Sequence, residues 1–238
     1  MQLENLVIDA RDPRGLGGFW AAALGAEPIT EGADIFEARL RYSDDQFLDL
    51  CFPLVDEPAV GTPRLHPDLA GGVRQGEVVE RLLGQGAARL DIGQGDVPWV
   101  VLADPEGNPF CVMEERAEYA DRGPLAALPL DSADPARDLA FWAMLTGWEQ
   151  VVGGSVPATL SHPSGLGPLL ELCSQVEPKV RKNRMHLDLR YAADDDPADW
   201  ARRIEAAGGS RYDPGWGEVG WELWRDPSGN EFCLLPAS

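Results

Sequence analysis

Three side-chain types recur at strand-like positions in this chain, and together they can hold a metal or move a proton: a carboxylate, an imidazole and a thiol. Successive side chains of a strand point to opposite faces. In LLELC, Glu171 and Cys173 therefore lie opposite Leu170 and Leu172. In RMHLDL, Arg184, His186 and Asp188 share the face opposite Met185, Leu187 and Leu189, and in EFCLL Cys233 lies opposite Phe232 and Leu234. If the apolar faces cover helices, Glu171, His186 and Cys233 line the open side of a sheet. The same argument applied to FLDLC, RLHPDL and PFCVM brings together Asp49, His66 and Cys111. All three groups are competent zinc ligands, and three protein ligands plus a water make a catalytic site. Each His can equally be a buried imidazole bonded to its neighbouring acid. Cys111 and Cys233 can be small core residues.

Other chemistry is absent. The sequence holds no GxSxG elbow, no P-loop, no HExxH, and no GxGxxG following a strand. Trp216 and Trp221 flank GEVG, where an aromatic wall can stack on a planar ligand at the mouth of a cavity in the second half. The segment KVRKNR holds the chain's only lysines, Lys179 and Lys182, beside Arg181 and Arg184, and reads as a solvated loop or as a basic rim for an anionic ligand. His162 has no repeat partner and is given no role.

The elements that position these groups come in duplicate. FWAAALGAEPI from Phe19 recurs as FWAMLTGWEQV from Phe141, FLDLC as LLELC, and DPEGNPFCVM from Asp104 as DPSGNEFCLL from Asp226, all at one spacing of 122 residues. Cys51 matches Cys173 and Cys111 matches Cys233, so a repeated strand position explains the four cysteines better than two disulfides do. Each copy reads as a strand, a helix opened by Asp-Pro and closed by Gly (13–24; 135–145), three strands, then a second strand, helix and three strands. The second helices fall near 73–86 and 197–209. The polar stretch 115–124 reads as a linker between copies at 1–117 and 124–238. The fold class is α+β with curved mixed sheets, built from four βαβββ modules.

The net charge of −20 argues against a nucleic-acid partner, which needs Lys and Arg against phosphate. No run suggests a membrane span, and the first residues lack the basic and apolar regions of a signal peptide, so a cytoplasmic protein is expected.

The motifs Phe-Trp-x-x-x-Leu-Gly and Asp-Pro-x-Gly-Asn before a final apolar strand, each present twice, resemble the vicinal oxygen chelate (glyoxalase/bleomycin-resistance/dioxygenase) superfamily over nearly the whole chain. That resemblance implies tandem glyoxalase-like domains, each of two βαβββ modules. In metal-dependent members, ligands come from the first, fourth, fifth and eighth strands. Carried over, these positions are Asn5, Asp49, His66 and Cys111 in the first copy, and Ala127, Glu171, His186 and Cys233 in the second. Family members pair modules within a copy or exchange them between copies, so Asp49 can face His66 or His186. A tandem chain can itself supply a two-copy assembly, which leaves monomer and homodimer open.

Two functions follow. One is a small-molecule-binding protein of the bleomycin-resistance kind without the ancestral metal site and without a cofactor, since a first-strand ligand is lost and the last-strand Glu is Cys. The other is a metal-dependent glyoxalase-type lyase or isomerase working through an enediolate, with a divalent Zn, Ni, Mn or Fe ion and Glu171 and His186 as candidate catalytic groups. A dioxygenase triad of two His and a carboxylate is not supplied by either copy. The second copy is expected to be the working half.

Overall fold

The computed structural model describes all residues except 60, 62 and 238. Four modules follow one another. The first is β1 (Gln2–Ile8), α1 (Pro13–Leu24), β2 (Glu27–Glu31), β3 (Ile35–Arg41) and β4 (Phe47–Pro53). The second is β5 (Asp68–Ala70), α2 (Gln75–Gly84), β6 (Ala88–Arg89), β7 (Val100–Ala103) and β8 (Pro109–Met113). The third is β9 (Leu125–Ser132), α3 (Pro135–Thr146), β10 (Glu149–Gln150), β11 (Thr159–Ser161) and β12 (Leu169–Ser174). The fourth is β13 (Met185–Arg190), α4 (Pro197–Ala206), β14 (Ser210–Arg211), β15 (Glu222–Arg225) and β16 (Glu231–Leu235). Among the described residues no helix is long and apolar enough to cross a membrane.

The repeats and the sheets do not coincide. The first sheet runs β14-β15-β16-β13-β1-β4-β3-β2 and joins the first module to the fourth. The second sheet runs β10-β11-β12-β9-β5-β8-β7-β6 and joins the third module to the second. Each sheet is sewn at its centre by an antiparallel pair, β1 with β13 and β9 with β5, so modules are exchanged between copies.

Local chemistry explains the helices. Asp12 caps α1 by accepting from Gly15 N–H at 3.0 Å, and Asp134 caps α3 by accepting from Arg137 N–H at 3.2 Å. Pro13 and Pro135 sit in the first turn, and Gly25 and Gly147 close the helices in the left-handed region at φ 70°. One expectation needs correction. The strand anticipated over 64–69 is reduced to Asp68–Ala70 plus an isolated bridge from Leu65 to Leu130. Pro67 has no N–H to give a ladder, whereas its counterpart Leu187 leaves β13 continuous.

The two motifs that mark each repeat are halves of one hydrogen-bonded node. The Trp20 Nε1–H donates to Asp104 Oδ2 at 3.1 Å, and Asn108 Nδ2 donates to the same oxygen at 2.7 Å. Asp104 Oδ1 accepts from the backbone N–H of Glu106 and Asn108 at 3.0 and 2.9 Å. Gly107 turns this loop at φ 83°, a conformation that a Cβ disfavours. The second copy repeats the node with Trp142 and Asn230 on Asp226 at 3.2 and 3.0 Å. α1 packs on β3 and β4 of the first sheet, but its Trp20 reaches the β7–β8 turn of the second, and α3 makes the reciprocal reach. Trp20 also meets Phe110 edge-on at 5.1 Å, as Trp142 meets Phe232 at 5.5 Å. The helix-facing sides of both sheets thereby share one core, in which Leu6, Leu50, Phe110, Leu128, Leu172, Leu187 and Phe232 are buried.

Replacing Asp104 or Asp226 by Ala leaves four donors unanswered, so each variant should lose ~2–4 kcal/mol in urea unfolding. Trp20→Phe should cost about 1–2 kcal/mol and couple to Asp104→Ala in a double-mutant cycle. Additive losses would show that the node does not act as a unit.

Candidate functional site

Because modules are exchanged, the open faces combine residues differently from a copy-by-copy reading. On the first sheet Asn5, Asp49, His186 and Cys233 come together, and on the second Ala127, Glu171, His66 and Cys111. Glu171 and His186, paired in the sequence reading, stand on different sheets, so they do not form one catalytic site. The reason is the β1–β13 and β5–β9 pairing, which sets β13, with His186, and β5, which His66 precedes, each beside the other copy's first strand.

On the first sheet, Asn5 lies opposite both Asp49 and Asp188, and its Nδ2 donates to Asp188 Oδ2 at 3.1 Å. His186 Nε2 is 3.3 Å from Asp188 Oδ1 and 3.5 Å from Cys233 Sγ. Asp49 is held in a two-pronged pair by Arg39, with Nε to Oδ1 at 2.8 Å and Nη2 to Oδ2 at 2.6 Å. Burial pushes the Cys51 and Cys233 thiols up, and the nearby carboxylates, Glu37 for Cys51 and Asp188 for both, push the same way. Both are therefore neutral thiols at pH 7.

The second sheet differs in charge. His66 Nε2 is 3.3 Å from Asp68 Oδ1, and Cys111 lies opposite Asp68. The donor atoms of His66, Asp68 and Cys111 all lie within 4.8 Å of one another, as do those of His186, Asp188 and Cys233. Burial alone would lower the His66 pKa, but contact with Asp68 and the charges of Asp131 and Glu171 outweigh it, and the net shift is upward. Glu171 has no arginine clasp like that of Asp49. Burial, and then the charge of Asp68, push its carboxyl up to about 7, against the opposing pull of the Tyr119 hydroxyl and Arg116. Tyr119 Oη donates to Glu171 Oε1 at 3.1 Å. Val101, Met113, Ala126, Ala127 and Leu169 form the apolar surroundings that desolvate this face.

Several of these groups escaped the sequence reading. The stretch 115–124, read as a linker, contains a short 3-10 helix at Ala117–Tyr119 that buries Tyr119 against Glu171. No pattern in that stretch announced it. Arg39 was legible in principle, because hairpin register places it directly across from Asp49. Asp68 and Asp188 follow their histidines by two residues, the spacing that returns a strand to the same face. KVRKNR is not simply a solvated loop: Lys179 pairs with Glu231 at 2.5 Å, Lys182 with Asp9 at 2.6 Å and Arg184 with Glu106 at 2.5 Å. Trp216 and Trp221 are half-exposed on the loop joining β14 to β15.

A family model described as a glyoxalase-like domain matches residues 5–113 and again 127–235. Among solved structures, glyoxalase I from Zea mays is similar at 17% identity and a TM-score of 0.67, covering 99% of this chain and 92% of that one. A putative dioxygenase from Bacillus subtilis is similar at 14% identity and a TM-score of 0.63, covering 99% and 85%. At these identities the likeness is one of fold. No curated protein matches the chain in sequence.

The raised Glu171 pKa has a signed consequence. The folded chain holds a proton on Glu171 that the unfolded chain releases near the ordinary value of 4.5, so this group's stabilising contribution fades as pH rises from there to about 7. Glu171→Gln, which keeps an acceptor for Tyr119, should remove about 3 kcal/mol of that decline. Urea unfolding of both chains from about pH 4.5 to just above pH 7 checks it. Parallel pH profiles would rule the shift out.

Proposed function

Because the chain belongs to the glyoxalase-like domain family, we propose that it is a small-molecule-binding protein whose ligands meet the open faces of the two sheets. One observation carries this reading. Asp68 Oδ1 and Asp188 Oδ1, at matching positions of the repeat, are both buried without a hydrogen-bond partner. Each His Nε2 is near its oxygen at 3.3 Å, yet no N–H is aligned with it. A buried carboxylate oxygen without a donor is costly, and a ligand O–H or N–H would satisfy it. The second sheet is the more reactive face in this proposal. Its Glu171, with a pKa of about 7, can give or take a proton at neutral pH, whereas Arg39 holds Asp49 in an ion pair.

A second reading is favoured by the donor sets themselves. Imidazole, carboxylate and thiol within 4.8 Å of one another fit a zinc-class divalent ion, and the same unpartnered oxygen would be a ligand. His66, Asp68 and Cys111 would hold the ion on the second sheet, and His186, Asp188 and Cys233 on the first. Such an ion supplies Lewis-acid polarisation of a substrate oxygen. Glu171 would hold the transferable proton, with Tyr119 fixing the carboxyl's orientation.

A thermal-shift panel of neutral hydroxy- and oxo-compounds, run with and without chelator, separates the two. Binding by the protein alone predicts stabilisation that survives chelator and is lost in Asp68→Ala or Asp188→Ala. Stabilisation lost with chelator, together with zinc that co-purifies and is lost in His66→Ala, selects the metal reading. No stabilisation by any compound and no metal uptake would sink both.

A further inference from the structure

A cavity of about 220 Å³ lies away from both open faces, where the β3–β4 hairpin of the first sheet meets the C-terminal end of α3 and the β11–β12 loop of the second. Its walls include Leu3, Leu48, Trp148 and Pro168. The seam is tightly built. The Tyr42 ring lies between two glycines: a Cβ at Gly123 would stand 2.9 Å from its Cε1, and one at Gly167 would stand 3.4 Å from its Cε2. Gln46 Nε2 donates to Leu166 O at 2.8 Å, and Ser164 Oγ donates to Gln46 Oε1 at 2.5 Å.

Tyr42 and His162 are among the polar residues that border this cavity. The Tyr42 hydroxyl is buried and has no partner among the described residues. Burial keeps it un-ionised by pushing its pKa up, so it stays a donor. His162 Nδ1 lies 2.8 Å from Ser164 Oγ and 3.1 Å from the Ser164 backbone nitrogen, which leaves Nε2 as the ring's second polar atom. Burial holds the His162 pKa below its ordinary value, so the ring is uncharged at pH 7. The ring meets Trp148 edge-on at 6.1 Å. The acid Asp45 borders the same cavity.

We propose that this seam cavity binds a small neutral aromatic molecule carrying a carbonyl or hydroxyl oxygen, with Tyr42 Oη–H as its donor and His162 Nε2 as a second polar contact. The volume exceeds the ~150 Å³ that accepts benzene in an engineered apolar cavity. Apolar side chains such as Leu3, Leu48 and Trp148 share the lining with polar ones such as Gln2, Gln46 and Thr146, a mixture that suits a ring bearing a polar oxygen. The Asp45 side chain in the lining disfavours an anion. The site is separate from the open faces and stands whether or not they bind ligands.

The test is titration of the full chain with acetophenone, followed by amide and indole NMR shifts. Saturable shifts should centre on Gly147, Trp148, His162 and Gly167. Tyr42→Phe should weaken binding about 10-fold while leaving the thermal midpoint equal or higher, because the lost hydroxyl had no protein partner. Gln2→Trp, at an exposed lining position, should fill the mouth and abolish binding. Benzoate should bind at least ~10-fold more weakly than acetophenone. Shifts that never saturate, that centre on His66 or His186 and their neighbours, or that persist unchanged in both variants would overturn the proposal. So would tighter binding of benzoate.

Discussion

The hydrogen bond from a helix tryptophan to a turn aspartate holds this architecture in register. A sheet with one apolar face needs a partner surface, and here the two sheets provide it for each other through α1 and α3. Apolar packing alone is non-directional and would not fix how the sheets meet. Trp20 on Asp104 and Trp142 on Asp226 supply that direction, since each indole N–H has one buried acceptor and each acceptor also organises its own turn. Asp226, buried, has its carboxyl pushed up to about 6 by desolvation, although its hydrogen bonds pull the other way. The node is therefore strong in geometry and sensitive in charge.

With the sheets locked apolar side to apolar side, their outer faces carry the same ancestral positions into different environments. The first sheet pairs two of its acids with arginines, Asp49 with Arg39 and Glu4 with Arg190. The second leaves Glu171 with a phenol and an apolar surround, and Ala127 stands where the first sheet has Asn5. The contrast between the two faces follows from these few substitutions and from the Ala117–Tyr119 turn that sets a phenol on Glu171.

Much of this was legible in the sequence. Asp-Pro at the start and Gly at the end gave α1 its observed bounds, and the repeat gave the order of all four modules. Alternation assigned His186, Cys111 and Cys233 to polar strand faces, where they lie, while His66 meets Asp68 from the segment just before β5. Alternation fixes a face but not a neighbour, which is why Glu171 was grouped with His186 when the sheets put it with His66. Strand pairing between distant segments depends on which edges meet, and four nearly equivalent modules offer several such choices. Pro67 shortening β5 was a local signal overlooked because its repeat partner, Leu187, suits a strand so well. Tyr119 belongs to another class: a lone aromatic in a polar stretch acquires its role only from the tertiary contact it makes.

The exchange of modules also imposes an order on synthesis. The second sheet is assembled from one continuous stretch of chain, 68–174, while the first sheet is closed by strands from 2–53 and 185–235. As the chain leaves the ribosome, β1 emerges three modules ahead of its partner β13 and waits with that edge unpaired. The inner sheet can complete itself meanwhile and offer α3 and its own helix-facing side as a template. Domains that emerge early normally fold early. Here the earliest module is among the last to be finished, and a nascent chain halted before residue 185 would expose the β1 edge to any neighbouring strand.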